Sequence, residues 1–279
     1  MKKILTLTSS GIQKFQKLVL DFFRTQGKVF PWRQTNDPYH IMISELMLQQ
    51  TQTDRVVKKY SSFINKFPTI YELAAANVPQ ILKEWKGLGY NRRALYLQRA
   101  AQEIVQKYKG IIPTEPEILR LLPGIGIYTS KAICVFAFNQ PEILLETNIR
   151  TVFIHHFFPG THKVSDAEIE PIVEKTLYKQ KPKIWYSALM DYGSYLKNKL
   201  KNINERSKVF KKQSPFKGSD REIRGKILKE LLQHEVLSLA EMKDNICYDK
   251  KRLYSILSDL TKEGFIQEKK EDYSLKNKT

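Results

Sequence analysis

The chain has 279 residues, of which 42% are hydrophobic, and its 47 Lys and Arg outnumber its 29 Asp and Glu, for a formal net charge of +18. This hydrophobic share excludes a disordered basic tail, and the length leaves room for two domains. A charge excess of this size on a folded protein predicts a polyanionic partner. The alternative is a basic surface that needs no such partner.

Signals for export or membrane insertion are weak. The apolar run in the opening MKKILTLTSSGI is too short for a secretory signal, and no stretch approaches the ~18 to 20 apolar residues of a membrane span. Cys134 and Cys247 lie far apart in apolar helical contexts, so we expect two buried thiols rather than a disulfide or a metal site. The sequence therefore predicts a cytoplasmic, nucleoid-associated protein with no membrane partner and no metal.

Helical periodicity dominates the chain until its last fifteen or so residues. Ser9-Ser10-Gly11 is predicted to cap a first helix, which is followed by a loop stiffened by Pro31 and Pro38. The next helix, from about Ile41 to Gln52, is mostly apolar but carries the carboxylate of Glu45. Further helices are predicted over 54–67, 70–76, 78–85, from the 87–93 interruption to about 108, and briefly after 113–116.

A glycine-punctuated turn opens the segment from Leu122 to Arg150. Gly124 and Gly126 permit a close backbone approach, and the helix start behind them presents unpaired N–H groups and a partial positive charge. This combination suits an anion, and DNA phosphate is the anion expected for a basic protein. An ordinary tight turn between two helices is the alternative. The segment closes on a lone carboxylate, Glu146, beside Asn148.

After the glycine turn, the sequence predicts a helical part, a basic linker and a small C-terminal domain. Helices continue through residue 157, over 166–178 and from 184 to about 199, and residues 197–217 then carry eight cations against one acid, which is typical of a basic linker. Three short helices and a small hairpin follow, in the order of a winged helix-turn-helix domain. A generic three-helix cap is the alternative.

With these pieces placed, the chain resembles the helix-hairpin-helix DNA glycosylase superfamily, and within it the MutY-type adenine glycosylases. The resemblance covers roughly residues 30–193 through several motifs in the family's order. These motifs are FPWR (Phe30–Arg33) with DPY (Asp37–Tyr39), SELMLQQT (Ser44–Thr51), GLGY (Gly87–Tyr90) and LPGIGIYTSKA (Leu122–Ala132).

The resemblance implies roles for individual residues. Glu45 falls where the family holds the general acid that protonates the purine, and Tyr128 falls where many MutY-type enzymes have an active-site tyrosine. Lyase relatives such as endonuclease III carry a lysine at the position of Tyr128, so its absence implies a monofunctional enzyme. Lys131, one helical turn away, leaves a weak lyase activity as the alternative to a solvated lysine.

Gln50 and Tyr90 match positions that wedge into the duplex where the target base has left, with Leu88 as a further contributor. Alternatively, Tyr90 is part of the core and Gln50 is an ordinary surface residue. The other residues expected to contact DNA are Arg33, Gln49, Thr51, Arg92, Gly124, Gly126, Thr129, Lys197, Lys199, Lys208, Lys211 and Lys212.

The expected chemistry needs two carboxylates in different settings. A departing purine must be protonated, and a carboxylic acid does this at neutral pH only if burial raises its pKa, a setting that the apolar neighbours of Glu45 offer. Positive charge develops on the sugar as the bond breaks, and Glu146 is the candidate to stabilise it. Asn148, two residues further on, is also expected to be catalytic. The target base must first leave the stack, at a cost of about a few kcal/mol.

The sequence departs from the MutY pattern in three places. Glu146 stands where the family has aspartate, and the added methylene moves the carboxylate by about 1 Å, enough to cost on the order of a hundredfold in rate or to leave a dead site. The four cysteines of the family's iron–sulfur cluster are missing after Gly193, so we expect no cluster, with the basic run in its place. About sixty residues replace the usual domain that reads 8-oxoguanine, which leaves open whether that base is recognised.

Together these observations predict an all-α, two-lobed helix-hairpin-helix glycosylase fold with a C-terminal winged domain. The predicted divisions are a glycosylase domain over 1–199, a basic linker over 200–218 and the winged domain over 219–279. The predicted activity is monofunctional removal of adenine mispaired with guanine or 8-oxoguanine in double-stranded DNA, by a monomer. The alternatives are a mismatch thymine or uracil glycosylase of the same superfamily and a catalytically silent DNA-binding protein.

Overall fold

The computed structural model describes residues 7–200, 202–246 and 249–276. Across these ranges helices dominate, and the strands are three short ones near the C-terminus, so the expected helical fold is confirmed. The α-helices are α1 Ser9–Gln26, α2 Pro38–Leu48, α3 Thr53–Lys66, α4 Ile70–Ala75, α5 Val78–Trp85, α6 Arg92–Tyr108, α7 Pro116–Leu119, α8 Ile127–Phe138, α9 Thr147–Phe157, α10 Asp166–Thr176, α11 Pro182–Lys199, α12 Asp220–His234, α13 Leu239–Ile246 and α14 Lys250–Glu263. The strands are β1 Val236–Ser238, β2 Ile266–Lys269 and β3 Asp272–Leu275, and short 3₁₀ helices lie at Pro31–Arg33 and Ile203–Arg206.

The chain divides into two compact units that do not follow chain order. The first unit comprises the chain up to Met42, with Pro113–Leu121 and Ile125–Lys212. The second unit comprises Ile43–Ile112, Leu122–Gly124 and the chain from Gln213 onward. The predicted winged domain therefore shares a unit with residues 43–112, and the predicted divisions at 199 and 218 stay predictions.

Aromatic side chains from α1, α9 and α11 form the centre of the first unit. The ring of Phe15 meets the rings of Phe153, Phe157 and Trp185 edge-on, with centroids 5.5, 5.1 and 5.8 Å apart. Phe15 and Val19 lie four residues apart on α1 and are both fully buried, as the spacing of its apolar residues predicts. Edge-on aromatic pairs are worth about 0.5 to 1.5 kcal/mol beyond their buried area.

The first half of the basic run is folded into the first unit. Ile203 is buried, and Ser207 forms a parallel bridge with Val164, in which Val164 N donates to Arg206 O and Lys208 N donates to Val164 O, each at 2.8 Å. The Arg206 guanidinium also donates to the carbonyls of Phe158 and Thr161. Residues 202–208 thus run beside residues 158–164 instead of crossing open solvent.

A winged domain packs on α5 and α6 within the second unit. Ile223 and Ile227 of α12 share a hydrophobic cluster with Val78, Leu82 and Leu95 of α5 and α6. Its three strands form an antiparallel sheet in the order β1-β3-β2. The three helices and the hairpin are as the sequence predicts, whereas β1 was not predicted, because three residues are too few to show an alternating pattern.

Two of the predicted helices have wrong boundaries. The cap of α1 is Thr8, whose hydroxyl accepts from Gly11 N at 3.2 Å, so Ser9 and Ser10 are already helical. The helix with Glu45 begins three residues earlier than predicted, at Pro38, because Asp37 accepts from Tyr39 N at 2.8 Å, and it ends at Leu48 instead of Gln52.

Two further sequence predictions concern buried thiols and membranes. Cys134 is fully buried, and burial raises the pKa of its thiol to about 12, whereas Cys247 lies outside the described residues. No described helix is both long enough and apolar enough to span a membrane.

Candidate active site

Glu45 is a buried carboxylate on α2. Only 8% of its surface is exposed, and Ile43, Leu46 and Met47 beside it on the helix are almost completely buried. The helix begins with Pro38 at its first position, where the missing proline N–H is not needed. Glu45 therefore lies, as predicted, on a mostly apolar helix, and its side chain is buried there.

Arg93 closes the end of the helix that carries Glu45. Its guanidinium donates to the carbonyls of Leu46, Met47 and Gln49 at 2.7, 2.8 and 2.6 Å, which include the last carbonyls of α2 that no helical N–H can reach. Only 7% of Arg93 is exposed, and burial lowers its pKa to about 10. A buried cation of this kind is retained only because its donors are satisfied.

The same guanidinium joins the two loops that were predicted to enter DNA. It donates to Thr51 Oγ1 at 2.8 Å and to Gly89 O at 2.9 Å, and Thr51 Oγ1 in turn donates to Leu88 O at 3.1 Å. Gln50 on one loop and Tyr90 on the other both have left-handed backbones, with φ of 54° and 48°. Arg93 therefore fixes the conformation of both loops through these hydrogen bonds.

Arg93 was not predicted from the sequence, although a signal for it exists. It lies four residues before Leu97 and eight before Ala101, which are both fully buried, so helical spacing places it on the buried face of α6. The residue predicted to contact DNA is the neighbouring Arg92, whose side chain is 54% exposed.

We expect Arg93→Lys to lower the free energy of unfolding by about 2 to 4 kcal/mol, because a lysine keeps the charge but cannot reach all of the acceptors that the guanidinium bonds, and buried carbonyls are left unpaired. Urea unfolding measures this change. Arg92→Lys is the matched control, and equal midpoints for the two variants would contradict the structural role of Arg93.

The predicted hairpin turn has one glycine with a strict requirement. Gly124 has φ of +78°, and a Cβ there would lie 2.6 Å from Tyr96 Cβ. Gln49 Nε2 donates to its carbonyl at 3.4 Å. Gly126, in contrast, has φ of −89° as the cap of α8, and a Cβ would meet nothing within 4 Å, so its left-handed freedom is not used.

The start of α8 carries the residues expected at the hairpin. Tyr128 is partly exposed at the second helical position, whereas the side chain of Thr129 is buried, so its predicted contact with DNA would fall to its backbone. Lys131 Nζ lies 3.4 Å from a carboxylate oxygen of Glu142, and both side chains are about 30% exposed. The ammonium of Lys131 is therefore engaged with a neighbouring carboxylate.

Glu146 is the N-cap of α9. One carboxylate oxygen accepts from Asn148 N at 2.8 Å and from Ile149 N at 2.9 Å. The residue keeps some exposed surface, but burial of the carboxylate raises its pKa, and this outweighs the opposite effects of the two N–H donors and of Lys197 and Arg150. Asn148 lies in the first turn of α9, with its Oδ1 3.4 Å from Lys197 Nζ, and its catalytic role stays a prediction.

Gly193 explains how α9 and α11 approach each other at this point. A Cβ on Gly193 would lie 2.0 Å from the carbonyl oxygen of Asn148, which is backbone and cannot swing aside. The first turn of α9, which Glu146 caps, therefore rests directly on the backbone of α11.

The remaining predicted DNA contacts fall into two groups. Arg33 forms a two-pronged ion pair with Asp191 at 2.8 and 3.0 Å and is 15% exposed, which gives it a structural role in the first unit instead. Leu88 is 2% exposed, so in this conformation it cannot reach a duplex. The exposed cations are Arg92, which pairs with Glu263, together with Lys197, Lys199, Lys208, Lys211 and Lys212.

A metal centre is not apparent among the described residues, where no group of three or more His, Cys, Asp or Glu side chains could hold an ion. The four-cysteine ligand set of the family's cluster does not fit this chain, which has two cysteines in all. The expectation that no cluster is bound stays a prediction.

Comparison with known proteins gives three informative similarities. An adenine DNA glycosylase of Buchnera aphidicola subsp. Baizongia pistaciae is 34% identical over 217 residues, which are 68% of this chain and 61% of that protein. A thymine/uracil-DNA glycosylase of Methanothermobacter thermautotrophicus is 32% identical over 157 residues, which are 56% of this chain and 71% of that protein. The solved structure of a thermostable thymine-DNA glycosylase has a TM-score of 0.61 at 27% identity, covering 68% of this chain and 88% of that one.

The first curated relatives extend beyond the match, because the chain spans 61% and 44% of the length of two adenine DNA glycosylases, from Buchnera aphidicola and Mycobacterium tuberculosis. Residues 43–177 match the model of the HhH-GPD superfamily, and this range includes Glu45, Tyr90, the hairpin and Glu146. Since 71% of the Methanothermobacter protein is also covered at 32% identity, the chain belongs to the HhH-GPD superfamily of base excision DNA repair proteins.

Proposed function

We propose that this protein is a monofunctional DNA glycosylase that removes adenine mispaired with guanine or 8-oxoguanine from double-stranded DNA. The observation that carries the proposal is the buried carboxylate of Glu45 on an apolar helix whose end is closed by Arg93. A protein that only bound DNA would gain nothing from a buried acid there, since a carboxylate repels phosphate. Similarity to adenine DNA glycosylases favours adenine as the base.

Each carboxylate has a separate task in the proposed reaction. Glu45 gives its proton to the adenine as the bond between the base nitrogen and C1′ breaks, so that the base leaves neutral. Glu146, ionised and held by two backbone N–H groups, stabilises the positive charge on the sugar. A water molecule then adds its hydroxyl to C1′ and releases a proton, which leaves an abasic site and free adenine.

The absence of strand cleavage is part of the proposal. A lyase needs a neutral amine to attack C1′, and Tyr128 has no amine. The amine of Lys131 is engaged in an ion pair with Glu142. We therefore expect hot alkali to be required before the abasic strand breaks.

Thymine or uracil opposite guanine is the second candidate substrate. It is favoured by the similarity to the thymine/uracil-DNA glycosylase, of which a larger share is covered than of the adenine enzymes. The two candidates differ in which base they remove, so substrate identity separates them directly.

The test is single-turnover base release, with and without hot alkali, on duplexes with A opposite 8-oxoguanine, A opposite G, U opposite G, T opposite G and hypoxanthine opposite T. Release from the A-containing duplexes alone supports the proposal, and their ratio measures recognition of 8-oxoguanine. Release of U or T alone would replace it with the second candidate. Binding without release from any duplex would contradict a glycosylase altogether.

We also propose that the protein works without an iron–sulfur cluster, as a monomer. The chain has two cysteines, and the run that follows α11 is held by backbone bonds to Val164 instead. Iron analysis of protein purified without air should therefore find much less than one iron per chain. A stoichiometric iron content together with the broad visible absorbance of a cluster would contradict this.

A further inference from the structure

Tyr90 is held by residues from the far end of the sequence. Its hydroxyl accepts from Arg221 Nη1 at 2.8 Å and from Gln213 Nε2. The Arg221 guanidinium also lies 5.7 Å from the centre of the Tyr90 ring, and Arg93 lies 5.5 Å from it. All four residues belong to the second unit, so both the ring and the hydroxyl of Tyr90 are fixed within it.

Arg221 joins Tyr90 to the segment that leads into the winged domain. Its Nη2 donates to Ser214 O at 2.8 Å and to Ser214 Oγ at 3.2 Å, while Nη1 reaches Tyr90. Only a planar guanidinium can direct its two nitrogens at two such sites at once.

The helix that carries Arg221 is itself firmly placed. Ile223 and Ile227 of α12 are buried in the cluster shared with α5 and α6. Arg92 on α6 and Arg224 on α12 both pair with the carboxylate of Glu263, and Arg99 donates to its carbonyl at 2.6 Å. The position of Arg221 relative to the loop of Tyr90 is therefore set by a packed core and a shared acid.

The winged domain lacks the excess of cations expected of a DNA-binding module. Residues 219–279 contain 13 Lys and Arg against 12 Asp and Glu, a net charge of +1 in a chain of +18. A domain that held phosphates would be expected to carry a clear excess of cations. We therefore expect the winged domain to affect DNA binding through its contacts with the rest of the protein.

We propose that Arg221 is a positioning residue for Tyr90, and that the winged domain acts on the duplex by holding this tyrosine and not by binding phosphates. The proposal rests on the proposed function and on the role that the family resemblance implies for Tyr90, which is to enter the duplex beside the extruded base. A phenol that is already fixed loses less conformational freedom when it enters the base stack, so binding is strengthened in advance.

The experiment compares Arg221→Ala, Tyr90→Phe and the double variant. Tyr90→Phe keeps the ring and its packing and removes only the hydroxyl. Arg252→Ala is the matched control, because Arg252 is also a winged-domain arginine that binds neighbouring groups, Asp220 and Gly218 O, but not Tyr90. The probe is a duplex with a tetrahydrofuran abasic analogue opposite guanine, titrated by fluorescence anisotropy at several salt concentrations.

We expect Arg221→Ala and Tyr90→Phe each to weaken binding about tenfold, the double variant to be no weaker than either, and Arg252→Ala to bind like the parent. Arg221→Lys should recover part of the loss. The slope of log affinity against log salt should stay the same in all variants, since no phosphate contact is removed.

Three results would overturn the proposal. A slope smaller by about 1 in Arg221→Ala would make Arg221 a phosphate ligand. Losses that multiply in the double variant would show that the two residues act independently. Tighter binding by Arg221→Ala would show that the contact restrains Tyr90. Because the probe has no base to release, these results are independent of whether adenine is the substrate.

Discussion

Glu45→Gln is expected to lower the single-turnover rate of adenine release by on the order of 10²- to 10⁴-fold, the usual contribution of a general acid. Glutamine has nearly the same shape but no proton that it can give to the departing base. Glutamine is neutral, so the change adds no charge. Because 92% of the surface of Glu45 is buried, the change also removes no exposed contact. Affinity for the A·8-oxoguanine duplex should therefore stay within a few-fold of the parent.

The matched control for Glu45 is Glu103→Gln on α6, a surface glutamate paired with Lys107. It should change neither rate nor affinity, because an exposed pair of this kind contributes little. Retained turnover in Glu45→Gln would remove Glu45 from the reaction, whereas equal loss of binding and rate would point to a structural defect instead.

Helices with a clear apolar stripe were predictable from the sequence almost to the residue. α5 has the predicted bounds of 78–85, and α3 and α6 differ by about one residue, because local spacing alone decides which side is buried. The end of α2 was not predictable in this way. It is set by Arg93, whose donors reach back more than forty residues to the carbonyls of Leu46 and Met47.

The candidate site shows the same division between local and distant information. The motifs indicated Glu45, Tyr128 and Glu146, because each lies in a short stretch with a recognisable pattern. They did not indicate that Arg33 forms an ion pair with Asp191, 158 residues away, or that Arg221 donates to the hydroxyl of Tyr90, 131 residues away. Such pairings depend on how distant segments pack, which no periodicity encodes.

Glu146→Gln is expected to lower the rate of adenine release by on the order of 10²- to 10³-fold, the cost of removing one group that stabilises developing charge. The amide oxygen can still accept from Asn148 N and Ile149 N, so the start of α9 is retained. In the proposed reaction the ionised form of Glu146 is the active one, and burial raises the pKa of Glu146. The parent rate should therefore fall on acidification at a pH above 4.5, the ordinary value for a glutamate.

The stability of the parent should change with pH in the opposite sense to its activity, and Glu146→Gln should lack this change. From pH 4.5 up to the raised pKa, the folded parent keeps a proton on Glu146 that the unfolded chain has lost, so unfolding becomes easier as the pH rises. Glu146→Gln has no such proton. The melting temperature of the variant minus that of the parent should therefore grow as the pH rises through this window, which thermal unfolding at several pH values measures. A difference that is constant with pH would contradict a raised pKa.

Glu146→Asp tests whether the site depends on the longer acid. Aspartate is a preferred N-cap residue, whereas glutamate reaches the same N–H groups with one more methylene. If the carboxylate works as it does in MutY-type relatives, Glu146→Asp should keep or raise the rate of adenine release. A complete loss in a variant that still folds would mean that the surroundings of α9 have been rebuilt around glutamate, because a displacement of about 1 Å is enough to cost on the order of a hundredfold.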